Sequence, residues 1–296
     1  MSFHVHFYRQ NLPVLTLDDL ELFCEKVGTH KLQIVDDTVA YRHPDTGIHF
    51  DFSRQAAPVQ AASTFDNGWT YAGLSAEIPL CRATIYGAEA VPIIVILAKG
   101  FKMRIVHSGM AENAAPIDPS QESLMESWIV ANHAALDAQG NAKMYEWKHE
   151  EMAQWYAYQL MRSKLMDQLE ERGHESVEVP SIQLCVDTKH DNAVRTRFYW
   201  ENGGGTVFPN SDFVAVSRKR KKLLGLKQSH ETGWISTDQA KAAVATGLQP
   251  VQTEIGNIHM LNESMAVKLA DRLDMLTLDT DLDRYKPITV DQIVDV

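Results

Sequence analysis

The sequence predicts an α+β protein made of two layered sheet-plus-helix modules joined by long helices. Three features of the chain carry that reading. Runs with a two-residue polar–apolar period occur near both ends, amphipathic stretches at helical spacing are interleaved with them, and residues 120–171 read almost wholly as helix. At 296 residues, with 45 % hydrophobic and 23 % charged side chains, the chain has the material for two ordinary cores.

The first element alternates: Phe3, Val5 and Phe7 point one way, and His4, His6 and Tyr8 the other, as in a half-buried strand. After Pro13, Leu17, Leu20, Phe23, Cys24 and Val27 recur at helical spacing. Thr16 or Asp18 suits the N-cap and Gly28 the C′ position. In TVAYRHPDTGIHFDFS two alternating runs flank Pro44-Asp45-Thr46-Gly47, which is turn chemistry for a hairpin. A four-residue loop there sets His43 against Ile48, Arg42 against His49 and Tyr41 against Phe50. Gln55–Asn67 is less ordered, and WTYAGLSAEIPL is a further strand. YGAEAVPIIVILAKG reads as a helix with Pro92 in its first turn and Lys99-Gly100 at its end, and KMRIVH as the strand after it. Residues 1–108 thus follow a βαββαβ-like plan with one extra strand.

Residues 109–176 read as a linker containing Pro116 and Pro119, then a two-helix brace. The first helix runs from Ser120 to about Asp137 and stops at Gln139-Gly140-Asn141. The second runs from about Met144 to Glu171 and carries Trp147, Met152, Trp155, Tyr156, Leu160, Leu165 and Leu169. At 1.5 Å per residue it spans roughly 40 Å. Residues 177–296 form a mixed sheet module. VPSIQLCVDT and AVRTRFYW flank Lys189-His190-Asp191-Asn192 as a hairpin, and DFVAVS is a third strand. Ser236-Thr237-Asp238 caps a short helix ending near Gly247, and a strand at Ile255–Met260 and a helix at Glu263–Asp274 close the module.

Thirty-nine acids against 28 bases leave a net charge of −11, distributed unevenly. Residues 1–148, 149–188 and 228–296 carry −6, −5 and −6, whereas 189–227 carry +6. The acid excess disfavours nucleic acid or an anionic membrane as the main ligand, because each phosphate contact needs a cation. The longest apolar run, Ala90–Ala98, is nine residues long and too short for about 30 Å of hydrocarbon. Cys24, Cys81 and Cys185 are too scattered for a disulfide framework and read as free thiols of a reducing compartment. MSFHVHFYRQ lacks the basic region and apolar stretch of a secretory leader, so a cytoplasmic location is expected.

His4 and His6 share one strand face and offer two imidazoles to one metal. With His49 and Asp51 of the hairpin they form the candidate ligand set of a metal-dependent hydrolase. Arg42 and Tyr8 join the same polar patch if the hairpin enters the same sheet. The competing reading is a solvated or interdomain sheet face. Other motifs fail their tests. Asp279-x-Asp281-x-Asp283 opens like a calcium loop, but its sixth position is Arg284 and its twelfth Val290, where Gly and Glu are needed. Gly203-Gly204-Gly205 leads into no phosphate-binding helix, and no Gly-x-Ser-x-Gly elbow exists. No cofactor is expected. Arg218, Lys219, Arg220, Lys221 and Lys222, with Arg195 and Arg197 on the strand before them, form a basic strip suited to an acidic partner or, less readily, to nucleic acid. The leading expectation is a non-catalytic, protein-binding module, such as a bacterial immunity or inhibitor protein that neutralises a toxin or effector. Two opposite charges on one chain also admit a homo-oligomer.

Overall fold

The alternation at the start of the chain becomes β1 (Ser2–Gln10), followed by α1 (Leu17–Val27), β2 (Leu32–Val35), β3 (Thr38–Arg42), β4 (His49–Arg54), β5 (Trp69–Pro79), α2 (Ile85–Gly100), β6 (Arg104–His107) and α3 (Gln121–Gln139). These elements come from a computed structural model that describes residues 1–27, 31–36, 38–54, 64–65, 67–139, 144–221 and 228–295. The chain is α+β and divides into two compact units, one of Met1–Met144 with Val290–Asp295, the other of Tyr145–Thr289.

The first unit is built on a six-stranded antiparallel sheet in the order β2-β3-β4-β5-β1-β6. The hairpin has the expected register, Tyr41 opposite Phe50 and Arg42 opposite His49, with His43 N–H donating to the Ile48 carbonyl at 2.9 Å. One sheet face is apolar. Phe3, Val5, Phe7, Phe50, Phe52, Ala76 and Ile78 are sealed there, and α2 packs on β5 and α3 on β1. Gly87 lets the two helices meet, since a Cβ at that position would lie 2.5 Å from the Trp128 ring. α2 starts at Ile85, so Pro92 sits in its interior rather than its first turn. Burial of Ile85, Tyr86, Val91, Ile94 and Leu97 outweighs the hydrogen bond that proline removes. Thr16 caps α1 as expected, its hydroxyl accepting from Asp19 N–H at 3.1 Å.

The second unit contains β7 (Tyr145–Trp147), α4 (His149–Glu171), β8 (Val177–Glu178), β9 (Gln183–Asp187), β10 (Ala193–Glu201), β11 (Gly205–Phe208), β12 (Phe213–Lys221), β13 (Gln228–Ser236), α5 (Thr237–Val244), β14 (Leu248–Thr253), β15 (Gly256–Leu261), α6 (Glu263–Asp274) and β16 (Tyr285–Pro287). Its sheets run β13-β12-β10-β9-β16 and β14-β15-β11-β8. Phe198, Trp200, Phe208, Val214, Val216, Ile235, Leu261, Leu269 and Leu273 form its main core. α4 is tied along the segment before β9: Trp155 and Gln159 donate to the Ile182 carbonyl, Tyr158 to Pro180 and Arg162 to Val179, at 2.8–3.0 Å. The Ser236 cap of α5 is a full capping box with Gln239.

The structure departs from the expected layout in several places. α4 begins at His149, because Tyr145–Trp147 are extended. β2, β11 and β13 have no counterpart in the sequence reading. α3 belongs to the first unit and α4 to the second, and Val290–Asp295 returns to the first unit, where Asp295 accepts from Thr84 N–H at 2.8 Å at the start of α2. Gly28, Gly140, Asn141, Lys222, Lys227 and most of Gln55–Asn67 lie outside the described residues. Cys24, Cys81 and Cys185 are free thiols. Among the described residues no helix is long and apolar enough to cross a membrane.

Candidate functional site

Side chains alternate across a strand, so the six-stranded sheet presents a second, polar face opposite its helices. β1 places His4, His6 and Tyr8 there, β4 places His49 and Asp51, and β3 places Arg42, all set by the strand register. The patch anticipated from sequence is therefore assembled on one surface. The strand between β1 and β4 is β5, and it contributes residues that the sequence reading did not single out. Glu77 stands between His4 and Asp51, Ser75 stands opposite His6, and Tyr71 stands opposite Tyr8.

His6, Ser75 and Tyr71 form a closed chain. The Ser75 hydroxyl lies 2.7 Å from His6 Nδ1 and 2.8 Å from Tyr71 Oη, and Ser75 is fully buried. Burial, with a smaller contribution from His4, lowers the His6 pKa to about 4, so its ring is neutral at pH 7. Burial also pushes the Tyr8 phenol up to about 12. A serine beside a neutral histidine has the parts of a nucleophile–base pair. This serine, however, is sealed beneath its partners, and the tyrosine takes up its second hydrogen bond.

The neighbouring row is open and acidic. His4 and Glu77 side chains are 40 % and 38 % exposed, with Nδ1 and Oε1 3.9 Å apart. Asp51 is directly opposite Glu77 on the adjacent strand, and among the described residues its Oδ1 is enclosed without a hydrogen-bond partner. Like charges directly across a strand pair destabilise a sheet, and an enclosed carboxylate oxygen adds to that cost.

The proposed metal ligands share a face but not a centre. His4 and Asp51 are two strands apart, about 9–10 Å at normal strand spacing. His49 turns toward Asp291 instead, at 3.8 Å, and its ring meets Tyr86 edge-on. Among the described residues no three His, Cys, Asp or Glu side chains are gathered as a metal ion requires.

Three arginines of the basic strip are engaged within the fold. The Arg218 side chain is wholly buried, bonded to Glu231 and to the carbonyls of Leu273 and Leu276 at 2.7–2.9 Å. Arg197 lies over the Trp234 ring at 4.7 Å and donates to the Tyr285 carbonyl at 2.9 Å. Arg195 is 39 % exposed and stands 3.7 Å from Asp212. Lys219, Arg220 and Lys221 continue β12, in register with His230, Ser229 and Gln228. Two of the three carboxylates in the run, Asp279 and Asp281, are held in ion pairs. Arg284 clamps Asp187 with two bonds of 3.0 and 2.8 Å and also reaches Asp279, while Lys189 pairs with Asp281 at 2.6 Å. The Arg284 bonds hold the Asp187 carboxyl well below the usual carboxylate range.

A second polar cluster, also missed in sequence, faces the helices. Glu89 of α2 is buried and accepts from the Tyr41 and Thr46 hydroxyls, with His43 Nε2 at 3.8 Å. It fastens the hairpin loop to α2. No protein-family model matches the chain, and neither a curated protein nor a solved structure matches it.

Proposed function

We propose that the chain is a non-catalytic, cytoplasmic protein-binding module of the immunity or inhibitor type, whose polar sheet face captures a basic partner protein. The observation that carries this reading is the row Asp51–Glu77–His4, where two adjacent carboxylates are kept side by side on a partly exposed sheet surface. Charge distribution supports it. The first unit holds 10 bases and 18 acids, or −8 of the total −11. Such a field accelerates encounter with a cationic surface and weakens with salt. Burial of Ser75 and the dispersal of the histidines argue for recognition rather than chemistry.

The test is co-purification of the tagged full-length chain from its native lysate at low salt. The wild-type protein is expected to retain a stoichiometric basic partner that elutes as salt is raised. Asp51→Asn with Glu77→Gln is expected to lose it, and Arg195→Ala to keep it. A partner retained by the double variant, or none retained by the wild type, overturns the reading.

A further inference from the structure

The second unit contains a cavity of about 610 Å³ between α4, α5 and the turn leading into β15. That size suits a small molecule, for which pockets of about 300–1,000 Å³ are usual. Its walls are mixed, and Ala157 on α4, Phe208 on β11 and Ile258 on β15 contribute to the apolar part. Five of its ten lining residues are polar. Asn210 is already engaged, its amide donating to Gln154 Oε1 at 2.9 Å, and the Tyr158 hydroxyl donates to the Pro180 carbonyl at 2.8 Å. Lys241 and His259 are the remaining polar members of the lining.

Lys241 is the unusual member. It is partly buried on α5, and among the described residues it makes no hydrogen bond or ion pair. Burial lowers its pKa, and the attraction of Asp238, one turn earlier on α5, offsets this only in part. A partly buried ammonium group with no hydrogen-bond partner gains from an anion placed beside it. The apolar part of the walls calls for a hydrocarbon or aromatic body attached to that anion.

We propose that this cavity binds a small monocarboxylate with a short apolar tail, its carboxylate on Lys241 and its tail against Ala157, Phe208 and Ile258. The site belongs to the second unit and is independent of the acidic row on the first.

Calorimetric titration of the full-length chain with octanoate, 3-phenylpropanoate and octan-1-ol tests it. At least one of the two carboxylates is expected to saturate at one per chain. Octan-1-ol, which has the tail without the charge, is expected to bind at least about tenfold more weakly than octanoate. Lys241→Met is expected to weaken carboxylate binding by about tenfold or more and leave octan-1-ol unchanged, and Ala157→Trp to abolish both by filling the cavity. Wild-type affinity is also expected to fall as rising pH deprotonates Lys241, an arm that needs no variant. Failure of both carboxylates to saturate, equal affinity for octanoate and octan-1-ol, full affinity in a folded Lys241→Met protein, or a flat pH profile would each overturn the proposal.

Discussion

Arg218→Ala is expected to remove about 3–5 kcal/mol of stability from the second unit, the range found when one partner of a buried ion pair is deleted. Its side chain is fully buried on β12, and its Nε donates to Glu231 on the neighbouring strand at 2.8 Å. Its Nη1 donates to the carbonyls of Leu273 and Leu276 at 2.7 and 2.9 Å, at the end of α6. The last carbonyls of a helix have no partner within it and carry the negative end of its dipole, so one guanidinium satisfies three acceptors and balances charge. Alanine leaves these acceptors facing a cavity. Arg195→Ala removes only a partly exposed contact at 3.7 Å and is expected to cost less than about 1 kcal/mol. Urea unfolding followed by tryptophan fluorescence checks both. A loss below about 1 kcal/mol for Arg218→Ala would show that the buried guanidinium does not support the fold.

Acidification is expected to weaken the first unit through His6. Its pKa is about 4 in the fold against 6.5 in a free chain. Above pH 6.5 the ring is neutral in both states and adds no pH dependence. As pH falls through 6.5 the unfolded chain takes up a proton that the folded chain refuses, so stability drops until about pH 4 and then levels off. The full shift is an upper bound of about 3 kcal/mol, and partial exposure of the ring reduces it to about 1–2 kcal/mol. His6→Gln retains a hydrogen-bonding group for Ser75 without a titrating ring. Its stability, measured by urea unfolding from pH 7 to pH 4, is expected to fall by that much less than the wild type's. Parallel curves for the two proteins would rule out this role for His6.

Much of the first unit was legible because its strands are regular. The two-residue period in FHVHFY and the Pro-Asp-Thr-Gly turn fix which side chains share a face, and the hairpin register followed from loop length alone. Strand order is a different matter. Nothing local to Ser75 or Glu77 announces that β5 runs between β1 and β4, so the two residues that turn a pair of histidines into a hydrogen-bonded chain and an acidic row were hidden in an ordinary strand. The basic strip misled for a related reason. RKRKK reads as one block of charge, but Arg218 is buried, and β13, too polar to stand out as a strand, supplies Glu231 to draw it inward. Pro92 reads as a first-turn residue because prolines prefer that site, whereas burial of α2 extends the helix back to Ile85.

The central claim is that Asp51 and Glu77 stand together for recognition at the expense of stability. Stability and partner retention measured on the same Asp51→Asn, Glu77→Gln protein test it most directly. Removing the like-charge pair is expected to raise unfolding free energy by about 0.5–1 kcal/mol while the basic partner is lost. A double variant that is less stable than the wild type and still holds its partner would contradict the account.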